Sequence, residues 1–319
     1  MKAAVVERYG PPEVVAIRDV PKPVPGDGDV LVRVRATTVN SGDSRIRQVK
    51  VPPGLGLLMR MSLGWSRPKQ PILGFDCAGD VEAAGSAVRD FEPGDRVVAS
   101  RGFKYGGHAE YVVVPATGAV TRIPNRLNYT DAVALLFGGT TSLEFFKLGK
   151  LKAGETILIN GAAGAVGVMA VQLAKHAGAS VTAVCSAGNA DLIRSLGADN
   201  VIDYAREDFT RGSATYDVVM DNHGNAPFPK IRHLLKPGGR FLMVILANLR
   251  EMLRRDPAIV SISDDSPNTA ANQRALLDLA ARGIIRPVID RTYTFDDIVA
   301  AHRRVDTGHK RGSVVVTLP

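Results

Sequence analysis

Residues 156–186 decide the fold and read TILINGAAGAVGVMAVQLAKHAGASVTAVCS. An apolar run ends at Asn160, and a loop of small residues follows. Apolar residues then recur at helical spacing, at Val166, Met169 and Leu173. Gly178 ends the helical pattern, and a second β-branched run begins. The order of strand, glycine loop, helix and strand predicts the first unit of a dinucleotide-binding fold.

The loop contains only glycine and alanine. A pyrophosphate binds to backbone N–H groups at the positive end of a helix dipole, provided that no side chain blocks its approach. The usual pattern is GxGxxG, and here the middle glycine lies one place later, at Gly164. The small residues that leave this space are Gly161, Ala162, Ala163, Gly164, Ala165 and Gly167. The alternative is a tight turn that binds nothing.

The end of the second strand bears on the choice of cofactor. Enzymes that use NAD usually place Asp or Glu about 20 residues past the loop, where it accepts a hydrogen bond from the ribose 2′-hydroxyl. Residues 185–189 contain no carboxylate, and Asp191 falls in the next predicted helix. Ser186 and Asn189 offer hydrogen-bond donors that suit a 2′-phosphate. The sequence therefore favours NADPH over NADH, although Ser186 equally suits a helix cap.

Composition limits the class of protein. A chain of 319 residues accommodates one large or two ordinary domains. No apolar run reaches the ~18 residues of a membrane span, and the first ten residues resemble a strand rather than a signal peptide. Cys77 and Cys185 lie far apart in predicted strands, which is typical of a reducing compartment. We therefore expect a cytoplasmic protein without a membrane partner.

The net charge of +8 comes from basic residues that are scattered along the chain, apart from a small cluster at Arg250, Arg254 and Arg255. The sequence contains neither a long basic block nor an RNA motif with interleaved aromatic residues. We therefore expect no specific nucleic-acid partner. The positive charge also favours an anionic cofactor.

Residues 1–115 predict a β-rich domain without strand–helix alternation. The predicted strands cover residues 3–6, 30–36, 76–84, 96–99 and 110–114. Residues 47–70 are rich in proline and glycine and predict a loop. This loop is either a mobile lid over a cleft or an apolar flap packed on the core.

Residues 116–283 predict a doubly wound parallel sheet, because strands and helices alternate. A helix at 129–149 precedes the glycine loop. The predicted strands cover 156–160, 181–185, 200–203, 216–221 and 239–246, with a possible sixth at 259–263. The predicted helices cover 165–177, 189–196, 227–235 and 268–282. Residues 236–240 predict a turn, and 284–289 and 313–318 return to strand.

The chain resembles the zinc-free quinone oxidoreductase (zeta-crystallin-like) branch of the medium-chain dehydrogenase/reductase superfamily. The segments that carry the resemblance are VNSGDSRIR (39–47), ILGFDCAG (72–79), FEPGDRV (91–97), GGHAEY (106–111), AAGAVG (162–167), LGADNVIDY (196–204) and HKRGS (309–313). It implies an α/β fold with a GroES-like substrate domain, 1–115, rejoined by 284–319. It also implies a Rossmann NADP-binding domain, 116–283, with the active cleft between the two.

Zinc ligands are missing from the pattern. Zinc alcohol dehydrogenases place Cys where this chain has Ser41, and a His–Glu pair where it has Phe75 and Asp76. Zinc needs thiolate or imidazole ligands close together, and neither cysteine is part of such a set. We expect no metal site, and alcohol oxidation is disfavoured because no Lewis acid would stabilise an alkoxide.

The resemblance also assigns roles to single residues. Gly164, Ala165, Val166 and Gly167 would face the pyrophosphate. Ser186, Asn189 and Tyr204 would surround the 2′-phosphate, Thr141 would lie near the nicotinamide, and His223 would touch the cofactor. In the first domain the residues that would position substrate are Asn40, Asp43 and Arg47. Alternatively, Asn40 and Asp43 hold a turn, Arg47 pairs with Asp43, and His108 is structural.

The sequence therefore predicts an NADPH-dependent homodimeric enzyme that transfers hydride to a quinone or an α,β-unsaturated carbonyl. One alternative is a zinc-free, NADP-dependent alcohol or carbonyl dehydrogenase. Another is a protein that binds NADPH or RNA without turnover.

Overall fold

The computed structural model describes residues 1–50, 56–246, 250, 254, 256–261 and 269–319. The described chain forms two compact units. The first unit comprises 1–50, 56–140 and 269–319, and the second comprises the described residues from 141 to 261. Residues 116–140 and 269–283, which we expected in the nucleotide-binding domain, therefore belong to the first unit.

The strands are β1 (Lys2–Val6), β2 (Val15–Asp19), β3 (Asp29–Val39), β4 (Asp76–Ala84), β5 (Arg96–Ser100), β6 (Tyr111–Pro115), β7 (Ala119–Arg122), β8 (Thr156–Asn160), β9 (Ser180–Cys185), β10 (Asn200–Asp203), β11 (Tyr216–Asp221), β12 (Leu235–Met243), β13 (Ile259–Val260), β14 (Ile289–Thr294) and β15 (Ser313–Thr317). The α-helices with described bounds are α1 (Ser41–Gln48), α2 (Gly56–Leu63), α3 (Tyr129–Leu148), α4 (Ala165–His176), α5 (Ala190–Ser195), α6 (Phe228–Ile231), α7 (Ala270–Ala281) and α8 (Ile298–Asp306).

A seven-stranded sheet forms the core of the first unit, with β14, β15, β3, β4, β5 and β7 in that order and β6 paired with β3. Its strands are rich in valine, which suits a pleated, buried surface. The last strand returns to the start of the chain, because β15 pairs antiparallel with β3 and Val314 lies opposite Val39. The expected β-rich domain, rejoined by C-terminal strands, is thus present.

Two expectations in the first unit are wrong in detail, and one helix was not predicted. The strand predicted at 284–289 begins only at Ile289, after Pro287, which has no N–H for a ladder. The loop predicted at 47–70 contains helix α2, since its leucines and methionines favour helix; residues 51–55 lie outside the described residues. Helix α1 was not predicted, although Asn40 and Asp43 have the spacing of a capping box.

The second unit has a six-stranded, fully parallel sheet in the order β10-β9-β8-β11-β12-β13. This is the doubly wound order in which the first strand lies at the centre and the chain switches direction beside it. The predicted Rossmann fold is confirmed. No helix among the described residues is long and apolar enough to cross a bilayer.

One strand of this sheet differs from its prediction. Residues 236–240 were expected to form a turn before a strand at 239–246, but β12 already begins at Leu235 and ends at Met243. The residues of the expected turn form a bulge instead. Tyr216 of β11 lies opposite Leu235, whereas Val218 lies opposite Arg240. Gly238 lies in the bulge and adopts a φ of 75°, which glycine tolerates.

Candidate cofactor-binding site

All strands of the second unit run in the same direction, so their carboxyl ends share one edge of the sheet. Asn160, Cys185, Asp203 and Asp221 are the last residues of β8, β9, β10 and β11. Ligands of doubly wound sheets bind outside this edge, at the point where the strand order reverses. Here that point lies between β8 and β11, directly beside the glycine loop.

Two glycines shape the loop itself. Gly161 adopts a φ of 73°, a left-handed conformation that turns the chain away from β8. Gly167 lies where helix α4 crosses the loop, and a Cβ there would lie 2.2 Å from the carbonyl oxygen of Gly161. That approach is too close for any side chain. Gly161 and Gly167 are therefore required by the fold of the turn.

Gly164 is different, because the protein does not need it for packing. It is the N-cap residue of α4, and a Cβ would meet only the Gly161 carbonyl oxygen, at an ordinary 3.5 Å. No side chain caps the helix, and the first N–H groups of a helix have no partner within it. Backbone N–H groups are therefore available at Ala165, Val166 and Gly167, next to the space that Gly164 leaves open. These N–H groups and this space form a cradle that fits a pyrophosphate.

A carboxylate organises the loop after β11. Asp221 is buried and accepts hydrogen bonds from the backbone N–H groups of His223 and Gly224 and from the side chain of Asn160. Asn160 also donates to Asn225, at 2.7 Å. These bonds hold the loop next to the glycine turn. A Cβ on Gly161 would lie 3.6 Å from the Cβ of His223, whose side chain is exposed.

Asn222 is a residue that the sequence analysis missed. Both polar atoms of its side chain are buried and have no hydrogen-bond partner among the described residues. A Cβ on Gly161 would lie 3.5 Å from its Cβ. A buried amide without partners is costly, by about 1–3 kcal/mol per group. Its only signal in the sequence is its place directly after a predicted parallel strand.

The three residues predicted around the 2′-phosphate lie at the ends of neighbouring strands. The amide nitrogen of Asn189 donates to the Ser186 hydroxyl at 3.0 Å, and the backbone N–H of Tyr204 donates to the Cys185 carbonyl at 3.2 Å. The Tyr204 side chain is 55% exposed. Ser186 provides no side-chain cap to the turn that follows it, so the alternative role as a cap is not seen.

Asp203 adds a carboxylate that the sequence analysis did not consider here. The register of β9 and β10 places it opposite Cys185, next to Ser186. Its Oδ1 accepts a hydrogen bond from the N–H of Ala205, and its Oδ2 lies 3.7 Å from the guanidinium of Arg206. A carboxylate at this edge suits a ribose hydroxyl better than a phosphate. The neighbouring arginine offsets that preference.

Thr141 lies on α3 and is partly buried. The next residue, Ser142, donates a hydrogen bond to the carbonyl of Val166 at 3.2 Å, which joins α3 to the first turn of α4. Thr141 is thereby held beside the pyrophosphate cradle.

In the first unit, Asn40 and Asp43 form a reciprocal capping box at the start of α1. The Asn40 side chain accepts from two N–H groups, and Asp43 Oδ2 accepts from the Asn40 N–H at 2.8 Å. Asp43 Oδ1 accepts from the N–H of Gly74, and burial raises the pKa of this carboxyl. The alternative in which both residues hold a turn is thus seen, while substrate positioning stays a prediction.

Arg47 is fully buried. Its guanidinium donates to the carbonyl of Gly10 at 2.6 Å and to both carboxylate oxygens of Asp306, at 2.7 and 2.6 Å. The partner of Arg47 is therefore Asp306 rather than the suggested Asp43. Both terminal nitrogens are engaged within the unit, and substrate positioning by Arg47 stays a prediction.

The positions that would carry zinc ligands do not fit a metal. Phe75 packs edge-to-face against Tyr105, with ring centroids 4.9 Å apart. Asp76 is fully buried, and burial raises its pKa to about 7. Neither Ser41 nor Phe75 supplies a zinc ligand. No group of three or more His, Cys, Asp or Glu residues in the described parts of the chain could hold a metal ion.

Two histidines lie in the interior of the first unit. His108 is buried, and its Nε2 lies 3.0 Å from the carbonyl oxygen of Thr38. Its ring contacts that of His302, with centroids 5.6 Å apart. The structural role expected for His108 agrees with this position.

Known proteins match the chain along its whole length. The family model described as alcohol dehydrogenase GroES-like domain matches residues 26–125, and the one described as zinc-binding dehydrogenase matches 196–316. Quinone-oxidoreductase QR1 of Triphysaria versicolor is 31% identical over 93% of this chain and 92% of its own. The NADPH-dependent alkenal/one oxidoreductase of Arabidopsis thaliana is 30% identical, over 99% and 79%.

A solved structure matches equally well. The quinone oxidoreductase from Coxiella burnetii superposes with a TM-score of 0.87 at 28% identity, over 100% of this chain and 99% of its own. The order of the parallel sheet, the glycine loop and these matches agree. The chain therefore belongs to the medium-chain dehydrogenase/reductase superfamily, in its quinone oxidoreductase branch, and is an NAD(P)H-dependent oxidoreductase.

Proposed function

We propose that the protein is a zinc-independent, NADPH-dependent reductase that passes hydride to a quinone or an α,β-unsaturated carbonyl compound. The observation that carries the proposal is the uncapped N-terminus of α4 behind Gly164, a position that the protein leaves open. The relatives named for quinone and alkenal/one reduction support the acceptor class.

The bound nicotinamide would supply the hydride, and the protein would supply position and charge. Ala165, Val166 and Gly167 would hold the pyrophosphate through their N–H groups. The hydrogen bond from Ser142 to Val166 keeps that turn in place. Asn222, with its buried and unpartnered amide, would donate to and accept from the part of the cofactor next to the loop.

Zinc independence is proposed from the residues in the ligand positions. Ser41 and Phe75 cannot bind zinc as thiolate or imidazole would, and Asp76 lies in the core. A quinone or enone distributes the incoming negative charge over its own conjugated system. Such an acceptor therefore suits a site that offers no metal.

NADPH is preferred over NADH because Ser186, Asn189 and Tyr204 lie together and offer polar groups to a 2′-phosphate. Asp203 opposes that preference and makes it testable. We expect kcat/KM to be higher with NADPH than with NADH, and the ratio to rise in Asp203→Asn. A lower ratio in the variant would show that Asp203 does not oppose NADPH, and a higher kcat/KM with NADH in the wild type would contradict the preference.

The decisive experiment measures NADPH binding by calorimetry and NADPH oxidation with a panel of small quinones and enones. Gly164→Asp places charge and bulk in the cradle and is expected to abolish both. Gly28→Asp is the matched control, because a side chain at Gly28 meets no atom within 4 Å and that glycine lies in the first unit. Equal NADPH affinity in the two variants would contradict the proposal.

The same assays separate the alternatives. Alcohol-dependent reduction of NADP⁺ with an inert quinone panel would favour a dehydrogenase. Tight NADPH binding without turnover, together with competition by RNA, would favour a binding protein. We also propose a cytoplasmic homodimer, without a membrane or specific nucleic-acid partner. Light scattering and cell fractionation test the two parts of that statement.

A further inference from the structure

A pocket in the first unit is lined by residues to which no role was assigned above. Its volume is about 310 Å³. Its wall is mainly apolar and includes Val20, Pro21, Ile72, Ala109, Val112 and Val113. Tyr111 and Arg101 also line it. A mostly apolar cavity with one or two polar groups is the usual form of a small-molecule site.

Arg101 is a charged residue of this wall. It directly follows β5, and its Nε is buried. This Nε has no hydrogen-bond partner among the described residues. Burial lowers the pKa of Arg101, yet a guanidinium remains protonated in proteins. A buried charged donor without a partner is costly, and an anion would remove that cost.

Gly106 allows the guanidinium to occupy this place. Gly106 also lines the pocket, and a Cβ there would lie 2.9 Å from Nη1 of Arg101. Its φ of 110° is one that residues with side chains rarely adopt. A larger residue would displace the arginine from the wall.

The groups around Arg101 do not pair with it directly. Burial raises the pKa of the nearby Cys77 thiol to about 12, so the thiol is neutral. Asp29 acts on Arg101 through its charge, but it forms no ion pair with Arg101 in the described part of the chain. Lys22 lies 3.7 Å from the centre of the Tyr111 ring and is paired with Glu82. None of these groups supplies the missing anion.

We propose that this pocket binds a small organic carboxylate, with the carboxylate on the guanidinium of Arg101 and the apolar part against Val20, Ile72 and Ala109. Arginine and carboxylate form strong, charge-assisted hydrogen bonds. The site is independent of the cofactor cradle, which lies in the second unit.

The first test compares octanoate with 1-octanol, which has the same chain length and no charge, by calorimetry on the full-length wild-type protein. We expect saturable binding of octanoate and at least about tenfold weaker binding of the alcohol, because hydrogen bonds to charged groups contribute about 1.5–3 kcal/mol. Equal binding of the two probes, or no octanoate binding at millimolar concentration, would overturn the proposal.

Variants locate the site. Arg101→Gln removes the charge, and Val113→Trp fills the pocket from a half-buried position on β6; both are expected to weaken octanoate binding at least about tenfold. Arg8→Gln, an exposed arginine of the same unit, is expected to bind as wild type. Affinity that is unchanged in Arg101→Gln refutes the assignment. Should that variant fail to fold, unchanged affinity in a folded Val113→Trp protein refutes it equally.

Discussion

Arg47 on α1 and Asp306 at the end of α8 are 259 positions apart in the chain and form an ion pair, in which one terminal nitrogen of the arginine donates to both carboxylate oxygens. The arginine is completely buried, whereas 21% of the aspartate side chain is exposed. The aspartate thus neutralises a charge that has no access to water. This pair joins the start of the first unit to its C-terminal helix.

Removing the carboxylate leaves the buried guanidinium unpaired. We expect Asp306→Ala to lower the free energy of unfolding of the first unit by about 3–5 kcal/mol. Arg303→Gln is the matched control on the same helix, because its ion pair with Glu13 is more than half exposed and contributes about 0–1 kcal/mol. Urea unfolding measures both. Equal losses of unfolding free energy in the two variants would show that the ion pair with Asp306 does not stabilise the buried charge of Arg47.

Asp76 predicts a loss of stability with rising pH. The pKa of Asp76 is about 7 in the folded protein, whereas the ordinary value for an aspartate side chain is 3.8. Between these two pH values the folded state therefore binds more protons than the unfolded state. Stability therefore falls as pH rises through this window. Between pH 5 and 7 the loss amounts to about 2 kcal/mol, because the slope of about 1.4 kcal/mol per pH unit declines as the pH approaches the folded pKa.

The Asp76→Asn variant has no ionisable side chain at position 76. At pH 8 it is expected to unfold at a higher urea concentration than wild type, and at pH 5 this difference is expected to be smaller. Asp27→Asn, at an exposed position, provides the control and is expected to leave the pH profile unchanged. If the stability of Asp76→Asn depended on pH as that of the wild type does, Asp76 would not be the group responsible.

His302 predicts the opposite dependence. It is fully buried, neither ring nitrogen has a hydrogen-bond partner among the described residues, and burial holds its pKa well below 6.5. The charges of Arg47 and His108 lower it further. The unfolded chain then binds the proton that the folded chain excludes, so stability is lost as pH falls below about 6.5.

His302→Leu, similar in size and apolar, is expected to remove this acid sensitivity. His309→Gln on the surface is expected to retain it. The test measures the urea midpoint of unfolding between pH 5 and 7. If the midpoint of His302→Leu still fell steeply towards pH 5, the proton would belong to another group.

The glycine loop allows binding to be separated from folding. Gly167→Ala is expected to destabilise the second unit, because the new methyl group would lie 2.2 Å from a carbonyl oxygen. Gly164→Ala meets no such obstacle and is expected to fold normally while weakening NADPH binding. Thermal unfolding without cofactor and calorimetry with it distinguish the two variants. A Gly167→Ala protein as stable as wild type would contradict the packing argument.

Local pattern was sufficient for the centre of the second unit. The bounds of β8, β10 and β11 were predicted to the residue, because these buried strands are short apolar runs between clear breaks. The bulge in β12 was not predicted, since KPGGR favours a turn wherever it stands and only pairing with β11 makes it part of a strand.

Parts of the site depend on register and distance, which sequence reading does not supply. The sequence analysis considered only the residues that directly follow β9. Asp203 lies at the end of β10, and only the parallel pairing of β10 with β9 brings this carboxylate opposite Cys185. Asp306 was overlooked as the partner of Arg47 because nothing local connects them. The orphaned amide of Asn222 is visible only once its neighbours are in place.

The late position of β15 in the chain affects how the protein is made. The strand completes the pairing of residues 36–39 in β3, which are synthesised almost three hundred residues earlier. Until β15 has been synthesised, a nascent chain on the ribosome therefore carries an unpaired strand edge in its first unit. Such edges template aggregation, and the long sequence separation slows closure.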